Sequence, residues 1–193
     1  MDQSTKFFLL GVVFAYGISF SKKHPIMHVA SFFAIFYYSY IKISLFYEKI
    51  EQTDISFQKI LDLHSIYILV LIVILENGII SPIFRFNLLM RLGAIIMIFG
   101  YFFCIYSHRF LLSKDKKFLH SGPYRYMRHP VYFGFLVSLL GAVIYTFSWL
   151  SCIYFYFLYK NEIKKLLDEE EQEIISEEQN YKKYMHTVKR FYF

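Results

Sequence analysis

Between residues 121 and 134 the chain reads Ser-Gly-Pro-Tyr-Arg-Tyr-Met-Arg-His-Pro-Val-Tyr-Phe-Gly, a segment dense in turn formers, cations and tyrosines immediately before a long apolar run. Pro130 has a fixed φ and no N–H to lose, which suits the first helical position, and it pushes His129 out of helical geometry into the cap. The free N–H groups and the positive end of a helix beginning there favour an anion, a carboxylate or a phosphate, with Arg125, Arg128 and the flanking tyrosines around it. The bland reading of the same residues is an interfacial anchor, since arginine and tyrosine often mark a helix end at a membrane surface. A second constellation lies near the C-terminus. Leu167, Glu170, Ile174, Glu177, Tyr181, Tyr184 and Val188 recur at steps of three and four, one helical face on which two glutamates interrupt an apolar seam. Lys165 and Glu169 are four apart, in the weaker orientation for a helix-stabilising pair. A solvated charge run is the bland alternative here. Against it, eight of the fifteen acids lie in 160–193, whereas Asp115 is the only acid of 107–130. An acidic helix facing a basic, aromatic loop makes a pocket suited to a zwitterion.

The elements that must position these residues are membrane spans. Of 193 residues, 56% are hydrophobic, 22% aromatic and only 19% charged, with mean hydropathy +0.38. Apolar runs at 7–21, 28–47, 66–80, 89–106 and 131–159 leave no room for a large water-soluble domain. A crossing needs about 20 residues, so the last run is too long for one span and predicts a tight helical hairpin with Thr146-Phe147-Ser148 at its turn. The expected fold is all-α: a multi-pass bundle of five or six transmembrane helices with a C-terminal amphipathic helix, since nothing alternates as strand. Residues 1–88 supply N-terminal spans. Residues 89–193 form the core, with the loop 107–130, the hairpin 131–159 and a tail helix over 160–190.

With six spans, the N-terminus, 48–65, 107–130 and the tail share one face. That face carries Lys6, Lys49, Lys59, Arg109, Lys114, Lys116, Lys117, Arg125 and Arg128, against Lys22, Lys23, Arg85 and Arg91 on the other. The positive-inside rule makes it cytoplasmic and brings the loop and tail together. The net charge of +6 is therefore mostly topology, although pI 9.1 also suits an anionic membrane surface. Glu76-Asn77 falls within the third run, where an unpaired charge costs about 2.5–3.5 kcal/mol at the bilayer centre. It must pair, protonate or lie near a helix end, and the nearby Pro82 favours the end. Lys6 with the run from Phe7 to Phe20 lacks a small-x-small cleavage site and is expected to be a retained span.

Several classes are excluded. Cys104 and Cys152 lie in apolar runs without a Cys/His cluster, so they read as packing residues, and no zinc site or other metal is expected. There is no Walker motif, GxSxG elbow or nucleic-acid module.

The run at 122–134, followed by a hairpin and then by Lys165, Glu169-Glu170, Tyr181, Tyr184 and Val188, resembles the isoprenylcysteine carboxyl methyltransferase family and its phospholipid methyltransferase relatives. The resemblance covers about residue 90 to the end. It implies a small integral membrane enzyme using S-adenosyl-L-methionine as cofactor. Tyr124, His129, Pro130, Val131 and Tyr132 would form the cofactor pocket, with Phe118 and Leu119 lining it just upstream and Glu169 and Glu170 completing it from the tail. Lys165 stands where the family has an arginine implicated in substrate binding and catalysis; it keeps the charge and loses the bidentate fork. Lys165, Glu169 and Arg128 are then the candidate catalytic residues. The family's Phe-Gly before the first tail tyrosine is replaced by 176–180, and the tail ends without the usual proline.

The chemistry so implied is in-line displacement at a sulfonium, for which the protein chiefly positions two reactants. Tyr124 and Tyr132 would hold the cation by their faces, Glu169 a cofactor hydroxyl or amine, the cap at His129 its carboxylate, and Lys165 an acidic group of the acceptor. Gly134 and Gly141 lie seven apart on one helix, which allows close helix approach; ordinary packing explains them too, as does sideways entry of a lipid. The expected partners are the bilayer and a lipid-like or prenylated acceptor, foremost an isoprenylcysteine carboxylate, with no nucleic acid. The setting is a bacterial inner membrane or the endoplasmic reticulum, with the site on the cytoplasmic face. The other readings are a phospholipid N-methyltransferase, a membrane sterol or enone reductase using a nicotinamide cofactor, and a degenerate scaffold of the same fold. The tail's Glu-Glu and Tyr-x-x-Tyr argue against the reductase.

Overall fold

The computed structural model describes residues 25–46, 68–69, 71–73, 75–76, 87–113, 121–177 and 181–191. The expected first span at 7–21 and the loop residues Phe118 and Leu119 lie outside the described residues. The architecture is all-α, as the sequence predicts, with no strand among the described residues. Its helices are α1 (Pro25–Phe46), α2 (Asn87–Leu112), α3 (Pro130–Thr146), α4 (Trp149–Leu158), α5 (Lys164–Glu177) and α6 (Tyr181–Thr187). A single 3₁₀ turn, Gly122–Arg125, precedes α3, and a π-helical turn, Tyr159–Ile163, runs α4 directly into α5.

The centre of the fold is the antiparallel pair α2 and α3. A Cβ placed on Gly93 would meet the backbone of Tyr145 and Gly141, one on Gly100 that of Ser138 and Gly134, one on Gly134 that of Cys104, and one on Gly141 that of Met97. These two backbones are therefore in contact along a seam that repeats every three or four residues on both helices, with Ser138 Oγ donating across it to the carbonyl of Met97 at 3.0 Å. The two glycines of α3 expected to permit close approach do so, and Gly93 and Gly100 of α2 mirror them. α1 packs beside this pair through Phe36 against Tyr101 and Phe135, and through Tyr40, whose ring stacks on His108 at 3.8 Å.

The hairpin forms where expected. α3 ends on Phe147 in the left-handed region (φ 56°), and the N–H groups of Phe147 and Ser148 return to the carbonyls of Ile144 and Val143, which closes the C-terminus before α4 begins. Glu76 is buried (6% exposed) against this turn. Its carboxylate accepts from Leu150 N–H (2.8 Å), Ser151 N–H (3.2 Å) and Ser151 O–H (2.8 Å), so it satisfies the N-terminus of α4. The near-end position favoured for this acid is the one observed. His28 of α1, 2.6 Å from the Tyr145 hydroxyl, shares that end of the bundle. The 3₁₀ turn, the start of α3 and α5 occupy the other.

Where the sequence predicts one tail helix over 160–190, the chain instead has α5 and α6. A straight helix would separate residues 171 and 190 by about 28 Å. Arg190 touches Glu171 at 3.0 Å, so the chain has to reverse between them.

Two outcomes are expected for thermal unfolding in detergent. Gly100→Ala forces the seam apart and lowers stability by about 1–3 kcal/mol, whereas Ile95→Ala on the exposed side of α2 changes it little; equal effects would mean the seam is not tight. Glu76→Ala leaves the first turn of α4 without acceptors and costs about 1–2 kcal/mol.

Candidate functional site

The site is built where α5 and the C-terminal residues close over the start of α3. Gly122 takes φ +59°, and a Cβ there would enter the ring of Phe110, so this turn is specific to glycine. The 3₁₀ turn that follows presents Tyr124 and leads to Arg128. His129 is the cap residue of α3 (φ −125°, ψ 64°) and Pro130 its first residue, the arrangement the proline spacing predicts. Pro130, Val131 and Tyr132 are buried in the first turn, with the Tyr132 ring edge-on to His129 at 5.7 Å.

The anion beside this cap is the chain's own. Glu171, 2% exposed, accepts from His129 Nε2 at 2.9 Å and from Arg190 Nε at 3.0 Å and Nη2 at 2.5 Å, and lies 2.9 Å from Arg128 Nη1. Arg190 Nη2 also donates to Asp168 at 2.7 Å. The backbone follows the same route: Arg128 N–H donates to the Lys189 carbonyl at 3.1 Å, Tyr184 O–H donates to the Tyr124 carbonyl, and Phe191 is buried against Phe133 and Tyr159. Loop, α5 and C-terminus are thus tied at one carboxylate.

The electrostatics follow from this geometry. Burial alone would raise the Glu171 carboxyl, but hydrogen bonds from His129 and Arg190 and the charges of His129 and Arg128 outweigh it and hold the pKa down to about 2. Burial raises the Tyr124 hydroxyl, with Glu170 adding to the effect, and pushes Tyr184 up to about 12 although Arg128 pulls the other way. Both tyrosines therefore act as neutral groups. His129 Nδ1 lies 3.7 Å from Glu170 Oε2, so the ring sits between Glu171 and Glu170.

Of the residues singled out from sequence, Tyr124, Arg128, His129, Pro130, Val131, Tyr132 and Glu170 come together here, with Tyr181 and Tyr184 packed beneath them. Lys165 and Glu169 are not brought into the cluster. Their side chains are 77% and 61% exposed, and they approach each other at 3.9 Å. Glu171, Asp168 and Arg190 were not singled out. Glu171 had a signal: Ile163, Leu167 and Glu171 follow at steps of four and all three are buried, a stripe one residue round from the one chosen. Arg190 had none, because its partners lie 19 and 22 residues away across a reversal. Among the described residues no three His, Cys, Asp or Glu side chains are grouped so as to hold a metal ion.

Because the folded pKa of Glu171 is depressed from 4.5 to about 2, its contribution is complete above pH 4.5 and is lost as the pH falls toward 2. The shift corresponds to roughly 3 kcal/mol. The thermal midpoint should therefore drop steeply below about pH 4.5 in the wild type. Glu171→Gln should be destabilised at neutral pH and nearly flat across that window; a variant that keeps the steep acid limb would assign it to another group.

The isoprenylcysteine carboxyl methyltransferase (ICMT) family model matches residues 79–176, just over half of the 193 residues. No curated protein and no solved structure matches the chain. The matched stretch contains α2, the 3₁₀ turn, the Arg128-His129-Pro130 start of α3, the hairpin and α5 with Asp168 to Glu171, while α6 and Arg190 lie beyond it. On this match, over the segment that holds the cluster, the chain belongs to the isoprenylcysteine carboxyl methyltransferase family.

Proposed function

We propose that the chain is a multi-pass membrane methyltransferase that uses S-adenosylmethionine to methylate a lipophilic acceptor, the C-terminal carboxylate of an isoprenylcysteine-type substrate or a related lipid. The observation that carries this reading is the meeting of the tail acids with Arg128 and His129 at the N-terminus of α3, inside the segment the family matches.

The bilayer part of the reading is supported by α2 and α4. Leu88–Leu112 is 25 residues long with hydropathy 2.2, the one helix among the described residues long and apolar enough to cross. On it Leu88, Leu92, Ile95, Phe99, Phe102 and Tyr106 form an exposed stripe at alternating steps of four and three, and Trp149, Ile153 and Tyr156 are exposed on α4. Apolar stripes of this length facing outward suit lipid and not water. In this reading the apolar runs at 28–47, 66–80 and 89–106 and the hairpin 131–159 cross, and the cluster lies at the cytoplasmic end.

The residues present fit a sulfonium methyl donor carrying an amino-acid end. Arg128 Nε is buried with no hydrogen-bond partner among the described residues, and the Glu170 carboxylate lies 3.7 Å from the adjacent His129. When bound, S-adenosylmethionine supplies a methyl group on a positively charged sulfur, open to displacement by a nucleophile. Tyr124 and Tyr132 would hold that charge by their ring faces, Arg128 and the first turn of α3 the carboxylate, and Glu170 the amine. Glu171 holds His129 and Arg128 in place and has its own oxygens engaged by His129, Arg128 and Arg190. Lys165 and Glu169, on the exposed side of α5, are left to meet the acceptor as it approaches. An acidic acceptor group would be oriented by Lys165 as a point charge.

Calorimetry in detergent should show S-adenosylmethionine binding to the wild type and a loss of about tenfold or more, about 1.4 kcal/mol, in His129→Ala and Glu170→Gln. Incubating membranes with radiolabelled donor and a farnesylated N-acetylcysteine should yield a base-labile methyl ester. Absence of donor binding would sink the reading. Label appearing only on phospholipid amines would move the acceptor to the related lipid class.

A further inference from the structure

The α2–α3 seam has a register that can be counted. Met97 faces Gly141, Gly100 faces Ser138 and Cys104 faces Gly134, so each step along α2 is matched by an equal step back along α3. Three residues beyond Cys104 is Ser107, and three before Gly134 is Val131, in the first turn of α3. The seam therefore delivers Ser107 to the N-terminus of α3, next to the cap residue His129.

Ser107 is 0% exposed, and its Oγ has no hydrogen-bond partner among the described residues. Other buried hydroxyls of the α2–α3 pair behave otherwise. Ser138 donates across the seam to Met97, and Thr146 returns its proton to Ala142 at 2.9 Å. A helical serine normally has the carbonyl four residues earlier within reach; Ser107 does not use it. Leaving a hydroxyl buried and unpaired is costly, because its hydrogen bonds to water are lost and not replaced. A second unpartnered group belongs to the same end of α3, the buried Arg128 Nε–H, two residues before Pro130. The third source of donors is the helix itself, whose first-turn N–H groups have no intrahelical acceptor. A hydroxyl, a guanidinium N–H and a helix N-terminus are all donors, and together they select an anion.

We propose that Ser107 is a binding residue of the methyl-donor site, its hydroxyl donating to the carboxylate at the donor's amino-acid end together with Arg128 Nε–H at the first turn of α3. The inference rests on the function proposed above and adds a contact from α2 that neither the loop nor the tail supplies. On this proposal the donor supplies the partner that Ser107 lacks among the described residues, so the desolvation cost of its hydroxyl is offset in the complex.

The test is a ligand comparison on the full chain in detergent. S-adenosylhomocysteine and its decarboxylated analogue are titrated into the wild type, Ser107→Ala and the closer-sized Ser107→Cys, and the unfolding midpoint of each ligand-free protein is recorded. Ser107→Ala should weaken S-adenosylhomocysteine about five- to thirtyfold and leave the decarboxylated analogue nearly unchanged. The ligand-free midpoint should stay level or rise, because a buried unpaired hydroxyl has gone. Unchanged affinity for S-adenosylhomocysteine in both variants, or equal losses for the two ligands, overturns the proposal while leaving the methyltransferase reading intact. If the wild type binds neither ligand, both fall together.

Discussion

The close approach of α2 to α3 sets the position of everything at the site. Two helix backbones touching along Gly93, Gly100, Gly134 and Gly141 have little freedom to slide, because each small position faces main chain and not a deformable side chain. The register that results brings the last turns of α2 to the first turn of α3, so the cap at His129 and the turn at Gly122 are held by a rigid pair. Phe103 of α2, edge-on to Phe133 of α3 at 5.6 Å, adds to the dispersion between the close backbones.

On that frame the chain spends an unusual amount of buried charge on one carboxylate. Taking Glu171 out of water is costly, and an ion pair offsets this only when the geometry saturates the oxygens. Here His129, Arg128 and Arg190 do so, and Asp168 shares Arg190. What the cluster gains is specificity of closure. Tail and loop meet with Arg190 on Glu171, the Lys189 carbonyl on the Arg128 N–H and Phe191 in the core, and no slipped pairing would satisfy all three.

Much of the architecture was legible locally. The hairpin followed from an apolar run too long for one crossing, the cap from Pro130, and the burial of Tyr181 and Tyr184 from steps of three and four. The near-end position of Glu76 followed from the cost of a charge at the bilayer centre. The tail was misread where contact decided the outcome. Lys165, Glu169 and Glu170 are adjacent on any helical plot, yet only Glu170 faces the loop, and Glu171 is the buried acid. Periodicity tells which residues share a face; it does not tell which of two neighbouring faces meets the partner, since a rotation of about 100° separates consecutive residues.

Composition and spacing by themselves determined an all-helical, apolar chain whose densest chemistry lies in the loop 107–130 and the tail 160–193, because the apolar runs leave only short polar connectors and these two segments carry the turn formers, tyrosines and most of the acids. Tertiary structure alone decided which tail acid is buried, that Arg190 returns to it, and that the register of α2 sets Ser107 opposite the first turn of α3. These are contacts between residues distant in sequence, brought about by a chain reversal and by the register of two touching backbones, and no local pattern encodes either.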